Sequence, residues 1–234
     1  MTFPDSSFHA PPSDSGSLDR AVNGEYDFSV AEIFREAWEK SAGCKGTFWS
    51  AFLVVGVISL VGNYAQKQLF GESFSKQYFS GVVLLPLTGP LYVGLLMMGV
   101  RRAAGLDIRA SDVFRYLSPY HLNVAIAQVL VFVLTTAGFL LLVLPGIYLA
   151  VSYCLSAPLI ADKDLQPWEA METSRKAIGH KWWQVFGYLL AVFCLGAIST
   201  IPLGLGLIWT LPTVVIGTGI LYRKIFGLTP DPEL

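Results

Sequence analysis

The sequence predicts an all-α fold, a polytopic membrane bundle of six transmembrane helices. Hydrophobic residues make up 53% of the 234 residues and charged residues only 14%. A soluble domain carries about 25% charged residues, so this chain has too few to cover a water-exposed surface. Its apolar residues form long uninterrupted runs, whereas the strands of a membrane β-barrel alternate polar and apolar positions. The runs therefore predict helices.

Residues 1–27 are predicted to form a disordered cytoplasmic N-terminal tail. Their first part is rich in Pro, Ser and Asp, and such a tract buries too little apolar surface to fold. No apolar run follows Met1, so we expect no secretory signal. Residues 227–234 are predicted to be a short C-terminal tail, which leaves residues 28–226 for the transmembrane domain.

Six apolar stretches approach the length of a membrane span. A helix needs about 20 apolar residues to cross about 30 Å of hydrocarbon. Only Leu144 separates the third stretch from the fourth, and only Ile201 and Pro202 separate the fifth from the sixth. Both pairs are therefore predicted to form tight hairpins. The stretches are residues 48–65, 79–100, 123–143, 145–161, 182–200 and 203–221.

The distribution of Lys and Arg predicts that both termini are cytoplasmic. Of the 16 Lys and Arg residues, all but two lie before the first stretch, between the second and third, between the fourth and fifth, or after the sixth. The exceptions, Lys67 and Lys76, lie between the first and second stretches. Cytoplasmic loops carry the excess of positive residues in membrane proteins, which sets this orientation.

A short amphipathic segment precedes the first pair of spans. Ser29 and Glu32 have the spacing of a capping box, in which each side chain binds a free amide at the helix start. Glu36 and Lys40 are predicted to pair on the water-exposed face. The apolar residues that share the opposite face are Val30, Ile33, Phe34, Ala37 and Trp38.

Similar segments precede the other two pairs. The second covers residues 111–117 and begins with Ser111, a good N-cap residue. The third begins at Pro167, which suits the first helical position, and pairs Glu172 with Lys176 on its polar side. Its predicted apolar side consists of Trp168, Met171 and Ile178. These units predict a threefold repeat of an interfacial helix and a transmembrane hairpin; the alternative is that they are ordinary connectors.

The residues that perform chemistry in enzymes are missing or scattered. No Asp, Glu, Lys, Arg or His lies inside a predicted span, although proton-coupled transporters and voltage sensors need such groups. No hydrolase, metal-binding or nucleotide-binding motif occurs. We predict that the protein is not an enzyme and has no catalytic residue, cofactor or metal site. The net charge of −1 predicts no nucleic-acid partner.

Prolines and glycines within the spans predict a broken-helix site. A proline frees the carbonyl four residues earlier, and the exposed backbone must bind a partner or line a cavity. Such breaks form binding sites in transporters, but they also occur as plain kinks. The candidate residues are Pro86, Gly89, Pro90, Pro145 and Gly146.

Two further predictions concern polar side chains. Gln128 is predicted to make an intramembrane polar contact, and a bond to a neighbouring helix is favoured over a ligand. Aromatic and basic residues near the cytoplasmic boundary can attract anionic lipid headgroups, or they can simply anchor the bundle. The candidate headgroup contacts are Arg101, Arg102, Arg175 and Lys176.

Three short motifs resemble a recurrent pattern of bacterial membrane proteins. They are LPGIY at 144–148, SAPLIAD at 156–162 and WEAMETSR at 168–175. The pattern is similar to a group that includes the membrane domain of some glycerophosphodiester phosphodiesterases and the YciC-like inner-membrane proteins. The resemblance implies a six-span helical bundle in a bacterial inner membrane. It implies no activity, because catalysis in the fused enzymes belongs to a separate soluble domain.

Two functions of different classes fit the sequence. The first is a non-catalytic accessory or organising module of the envelope, whose amphipathic segments would dock other membrane proteins. The alternative is a carrier or binder of lipid or another apolar small molecule. A cavity open to lipid would favour the alternative, and a bundle packed tightly throughout would favour the first. An oligomeric channel is a remote third option, and the sequence leaves the oligomeric state open.

Overall fold

The computed structural model describes residues 15–70, 74–117, 122–201 and 203–229, with residues 70 and 74–87 described by their backbone alone. The predicted tail residues 1–14 and 230–234 lie outside this part of the chain. The described residues form helices joined by short connections. The helices are α1 Leu18–Val22, α2 Val30–Ser41, α3 Lys45–Phe70, α4 Phe74–Ala103, the 3₁₀ helix Ala110–Leu117, α5 Leu122–Leu141, α6 Val143–Ser152, α7 Ser156–Lys163, α8 Pro167–His180, α9 Trp182–Thr200 and α10 Leu207–Phe226.

Four helical stretches are long and apolar enough to cross a membrane. They are Lys45–Leu69, Leu122–Leu141, Val143–Lys163 and Trp182–Thr200. The chain is therefore an all-helical membrane protein, as the composition predicts. The second and sixth predicted spans coincide with α4 and α10, and a membrane crossing by these two helices stays a prediction. The threefold repeat also stays a prediction.

Helix α4 lies at the centre of the bundle, and three of its glycines allow neighbours to approach its backbone closely. At each position an added Cβ would collide with a different element. Small residues permit this kind of contact between membrane helices. The neighbours are Gln128 of α5 at Gly89, Val113 of the 3₁₀ helix at Gly94 and Val215 of α10 at Gly99.

The predicted break in α4 is absent. The helix is continuous through Pro86, Gly89 and Pro90. A break occurs instead in the fourth predicted span, where α6 ends at Ser152 and α7 begins at Ser156. The Ser174 hydroxyl of α8 donates a hydrogen bond of 2.8 Å to the Ser152 carbonyl. This bond satisfies a carbonyl that the interrupted helix leaves free.

The predicted tight hairpin between the third and fourth spans is confirmed. Only Leu142 separates α5 from α6. Gly138 and Gly146 face each other across the hairpin, with the Cα of Gly146 3.0 Å from the Cβ position of Gly138. Gly146 is thus explained by the close approach of two helices rather than by an open break.

The N-terminal segment differs from the predicted disordered tail. Residues 15–29 lie across one end of the bundle, and we call them the strap. Ala21, Tyr26 and Phe28 are buried, and the Tyr26 hydroxyl donates to the Ala177 carbonyl at 2.8 Å. The Lys181 ammonium binds Asp27 at 2.8 Å. The Pro, Ser and Asp content of the first part led to a prediction of disorder for the whole segment. The apolar residues that follow hold the strap in place.

Helix α2 follows the predicted pattern in part. Ser29 is its N-cap, but its side chain makes no capping hydrogen bond, so the prediction of a capping box is wrong. Ile33 and Ala37 are buried as predicted, whereas Trp38 is exposed. The Glu36–Lys40 pair is present at 3.4 Å, but it faces the bundle, where Arg223 also binds Glu36. The predicted water-exposed face of α2 is therefore partly buried.

The other two amphipathic segments also differ in detail. The second is a 3₁₀ helix with Val113 buried. In α8, Met171 and Ile178 are buried, but Trp168 is exposed, which corrects its predicted place on the apolar side. Trp168 lies in the first turn of α8, and its periodic position alone does not show whether a neighbouring helix covers it.

Candidate functional site

An open pocket of about 310 Å³ lies between α2, α9 and α10. Helix α2 forms one wall with side chains from two successive turns, since residues i, i+1 and i+4 lie on one side of a helix. The walls are almost entirely apolar. The lining residues are Phe34, Arg35 and Trp38 of α2, Leu195 of α9, and Thr210, Thr213 and Val214 of α10.

The two threonines of the pocket do not make it polar. The Thr213 hydroxyl donates to the Trp209 carbonyl at 2.8 Å, one turn earlier in α10. Thr210 bonds to the Gly206 carbonyl at 3.0 Å and shares a hydrogen bond of 2.6 Å with Ser199 of α9. Because these hydroxyls are already satisfied, the pocket offers methyl groups and aromatic carbon to an occupant.

Two cations lie close to this pocket. Arg35 is exposed and forms no ion pair within the described part of the chain, although Glu32 and Glu39 lie one turn away on α2. The Lys45 ammonium lies 5.7 Å from the Trp38 ring centre and 5.9 Å from that of Trp209. Both distances fit cation–π contacts, which leave the ammonium able to bind an anion.

A buried charged cluster holds α2 in place. Arg223 of α10 is only 2% exposed and binds both carboxylate oxygens of Glu36, at 3.0 and 3.2 Å. The same guanidinium and the Lys40 ammonium donate to the Ala103 carbonyl, at 2.6 and 2.7 Å. The cluster therefore joins α2, α4 and α10 and fixes the wall of the pocket.

The predicted headgroup cations are mostly engaged within the protein. Arg102 donates to the carbonyls of Lys40 and Ala42, at 3.0 and 3.3 Å. Arg175 binds Glu172 through two hydrogen bonds, of 3.0 and 2.8 Å. These bonds lower the pKa of Glu172 and raise the pKa of Arg175. Each charged form is therefore stabilised by the other.

The remaining two headgroup candidates lie apart on α4 and α8. Arg101 also has a partner within the protein. The Lys176 ammonium lies 3.6 Å from a carboxylate oxygen of Glu172, and about half of the Lys176 side chain is exposed. Headgroup contact by these residues stays a prediction, and the structure does not gather the four cations into one site.

Gln128 bonds a neighbouring helix, and the intramembrane position of this contact stays a prediction. The Gln128 side-chain amide of α5 donates to the Gly89 carbonyl of α4 at 3.2 Å, so Gln128 joins two helices. The broken-helix candidates fall into two separate places: Gly89 and Pro90 are buried within α4, while Pro145 and Gly146 lie in α6 at the α5–α6 turn. Nothing is described for the side chain of Pro86.

The α2 pocket was not predicted, and only part of its signal is in the sequence. Trp38 and Arg35 stand on a recognisable amphipathic helix, but their meeting with Leu195 joins residues more than 150 positions apart. The periodicity of apolar residues shows which residues share a face of a helix, but it does not show which other helix packs against that face. The sequence placed Trp38 on the apolar face of its helix, so its exposure beside Arg35 and Lys45 is a finding of the structure.

Comparisons with known proteins assign the chain to no family. The chain shows no significant match to a protein-family model, to a curated protein or to a solved structure. The resemblance of its three short motifs to bacterial inner-membrane proteins therefore stays a prediction.

Proposed function

We propose that the protein is a non-catalytic membrane protein that binds a phospholipid, with an acyl chain in the pocket beside α2. The observation that carries this proposal is the open, apolar pocket between α2 and the α9–α10 pair. Ligand pockets are typically apolar cavities with a few placed polar groups. The hydroxyls of Thr210 and Thr213 are satisfied internally, so an apolar chain is favoured over a polar ligand.

The two nearby cations support a phospholipid over a neutral lipid. Arg35 is exposed, and Lys45 stands at the first position of α3. An arginine can bind a phosphate through two parallel hydrogen bonds, and a helix N-terminus adds a partial positive charge. A phosphate beside Arg35 and Lys45 would leave its acyl chain next to Trp38.

We place the protein in a bacterial inner membrane with both termini in the cytoplasm, as the Lys and Arg distribution supports. In this orientation Lys45 and α2 lie at the cytoplasmic interface. The phosphate of a lipid in that leaflet would then stand at the level of Lys45. The proposed ligand is consequently a lipid of the cytoplasmic leaflet.

A second candidate function is an accessory module that docks other membrane proteins. The observation in its favour is that Trp168 of α8 and Trp183 of α9 are exposed at the predicted cytoplasmic boundary. Tryptophan is enriched where protein interfaces are strongest. It is also enriched where membranes meet water, so the pocket supports the lipid function better.

Native mass spectrometry of the protein extracted with its own lipids tests the proposal. Leu195→Trp would fill the pocket, whereas Leu190→Trp on the same helix changes a residue that does not line it. We expect a retained phospholipid in the unchanged protein and in Leu190→Trp, and its loss in Leu195→Trp. Retention in both variants would rule out the pocket as the binding site. A lipid-free chain that carries another protein would favour the accessory module.

A further inference from the structure

The start of α10 lies beside the start of α3. The Trp49 indole N–H donates to the Ile208 carbonyl at 3.1 Å, and the Lys45 ammonium lies 5.9 Å from the Trp209 ring centre. Trp49 lies in the second turn of α3, about 6 Å of helix rise from Lys45. The first turn of α10 is therefore close to the membrane interface at which α3 begins.

A six-span arrangement requires a different geometry. If α9 and α10 both crossed the bilayer, the turn between them would lie about 30 Å of hydrocarbon away from the interface where α3 begins. Ile208 follows that turn directly, because α9 ends at Thr200 and α10 begins at Leu207. The contact between Trp49 and Ile208 is too short for that separation.

The turn between α9 and α10 is apolar and outward-facing. Ile201, Leu203 and Leu205 are 80%, 97% and 60% exposed. No charged residue occurs between Thr200 and Leu207. By contrast, Lys67 near the end of α3 and Lys76 near the start of α4 flank the connection between those two helices. Exposed leucines favour acyl chains over water or headgroups.

Several backbone amides in and just after the turn are paired within the protein. The Leu203 amide donates to the Ile201 carbonyl at 2.9 Å, and the Gly204 amide to the Thr200 carbonyl at 3.1 Å. The amides of Leu207 and Ile208 also donate within the turn, at 3.0 and 3.2 Å. Each pairing lowers the cost of placing irregular backbone at membrane depth, where an unsatisfied polar group costs several kcal/mol.

We propose that α9 and α10 form a re-entrant hairpin, which enters and leaves the bilayer on the side where α3 begins. The described residues of its apolar turn, 201 and 203–206, would be embedded in the acyl chains of that leaflet. Lipid hydrocarbon is thus the partner of this surface. The hairpin would be re-entrant whether or not the α2 pocket holds a lipid.

Distances between paired spin labels in liposomes test the hairpin. The labels would be attached at Ser50→Cys and Leu205→Cys in full-length protein whose native cysteines are replaced by alanine. We expect a separation under about 20 Å, whereas a crossing hairpin would give about 30 Å or more. The matched control is Ser50→Cys with Gln68→Cys, whose labels on one straight helix should be about 27 Å apart.

Labelling with a membrane-impermeant maleimide from each side of the membrane gives an independent test. We expect Gln68→Cys to react from the side opposite to Lys224→Cys, and Leu203→Cys to remain unreactive from that side. Reaction of Leu203→Cys together with Gln68→Cys would overturn the re-entrant hairpin. Both helices would then cross.

Discussion

Arg223 is a buried charge whose partners come from two other helices. Glu36 supplies two carboxylate contacts, at 3.0 and 3.2 Å, and the Ala103 carbonyl a third contact. A buried ion pair adds little compared with apolar packing, but the loss of one partner leaves an uncompensated charge. The main effect of this cluster is therefore to fix the position of α2.

Glu36→Gln should lower the free energy of unfolding by about 3 kcal/mol, because it leaves the Arg223 charge buried without its carboxylate. The double variant Glu36→Gln with Arg223→Met should cost less than the single one. Reversible unfolding in detergent measures both. Glu39→Gln, an exposed carboxylate on the same helix, should have an effect below about 0.5 kcal/mol. Equal losses in Glu36→Gln and Glu39→Gln would contradict the role of the cluster.

The strap should loosen at acidic pH. The hydrogen bond from Lys181 lowers the pKa of Asp27 below its ordinary value. A lowered folded-state pKa means that this attachment is complete above about pH 4 and is lost as the pH falls through the lower folded value. A spin label at Glu25→Cys should become more mobile in that range. In Asp27→Asn its mobility should no longer change there.

Alkaline pH should act on the strap through another group. Burial raises the pKa of Tyr26 to about 12, so the neutral phenol is favoured in the folded strap. The contribution of the neutral phenol to the stability of the folded strap is complete below about pH 10. It declines towards pH 12, because the phenol of the unfolded chain ionises at a lower pH. The same spin label would show a second gain in mobility there, which Tyr26→Phe should remove.

At the level of elements, the break between α6 and α7 depends on a side chain from α8. Ser174 is fully buried and donates to the Ser152 carbonyl at 2.8 Å. Proline in the first turn of α7, at Pro158, is compatible with this geometry because its missing amide would have no helical partner there.

Ser174→Ala should destabilise the protein by about 1–3 kcal/mol, since it leaves a buried carbonyl without its hydrogen bond. Thr173→Ala, one position earlier in α8, is the matched control and should be close to neutral. Thermal unfolding in detergent distinguishes them. A neutral Ser174→Ala would mean that water or a shift of the backbone satisfies the Ser152 carbonyl.

Sequence patterns located most helices but not their interruptions. The apolar runs predicted α3, α5 and α9 well, because span length depends on local composition. Pro86 and Pro90 predicted a break in α4 that is absent, while the real break lies near Cys154. A proline does not determine a break by itself, because neighbouring helices can satisfy the freed carbonyl.

For the whole molecule, the crossing of α4 and α10 brings two helix backbones into close contact. An added Cβ on Gly219 would lie 2.5 Å from the Gly99 backbone, so even alanine requires the helices to separate. The crossing also orients α10 towards α2 and the pocket. A change at Gly219 should therefore affect both the fold and the pocket.

Gly219→Val should reduce the yield of folded, monodisperse protein several-fold, because the α4–α10 contact cannot close. Gly196→Val is the matched control, since nothing lies within 4 Å of its Cβ position, and its yield should be unchanged. Size-exclusion chromatography in detergent measures both. If Gly219→Val behaves like the control, the crossing is not essential to the fold.

The sequence by itself determined that this is a helical membrane protein and where most of its apolar runs lie. These features depend on composition and on spacing within one segment. Tertiary structure decided that the strap is ordered, that Arg102 and Arg175 are engaged within the protein and that Trp38 lines a pocket. Each of these depends on which residues, distant in sequence, meet in the fold. In a membrane, that choice is made by close packing and a few polar contacts rather than by hydrophobicity, which is nearly the same on every face.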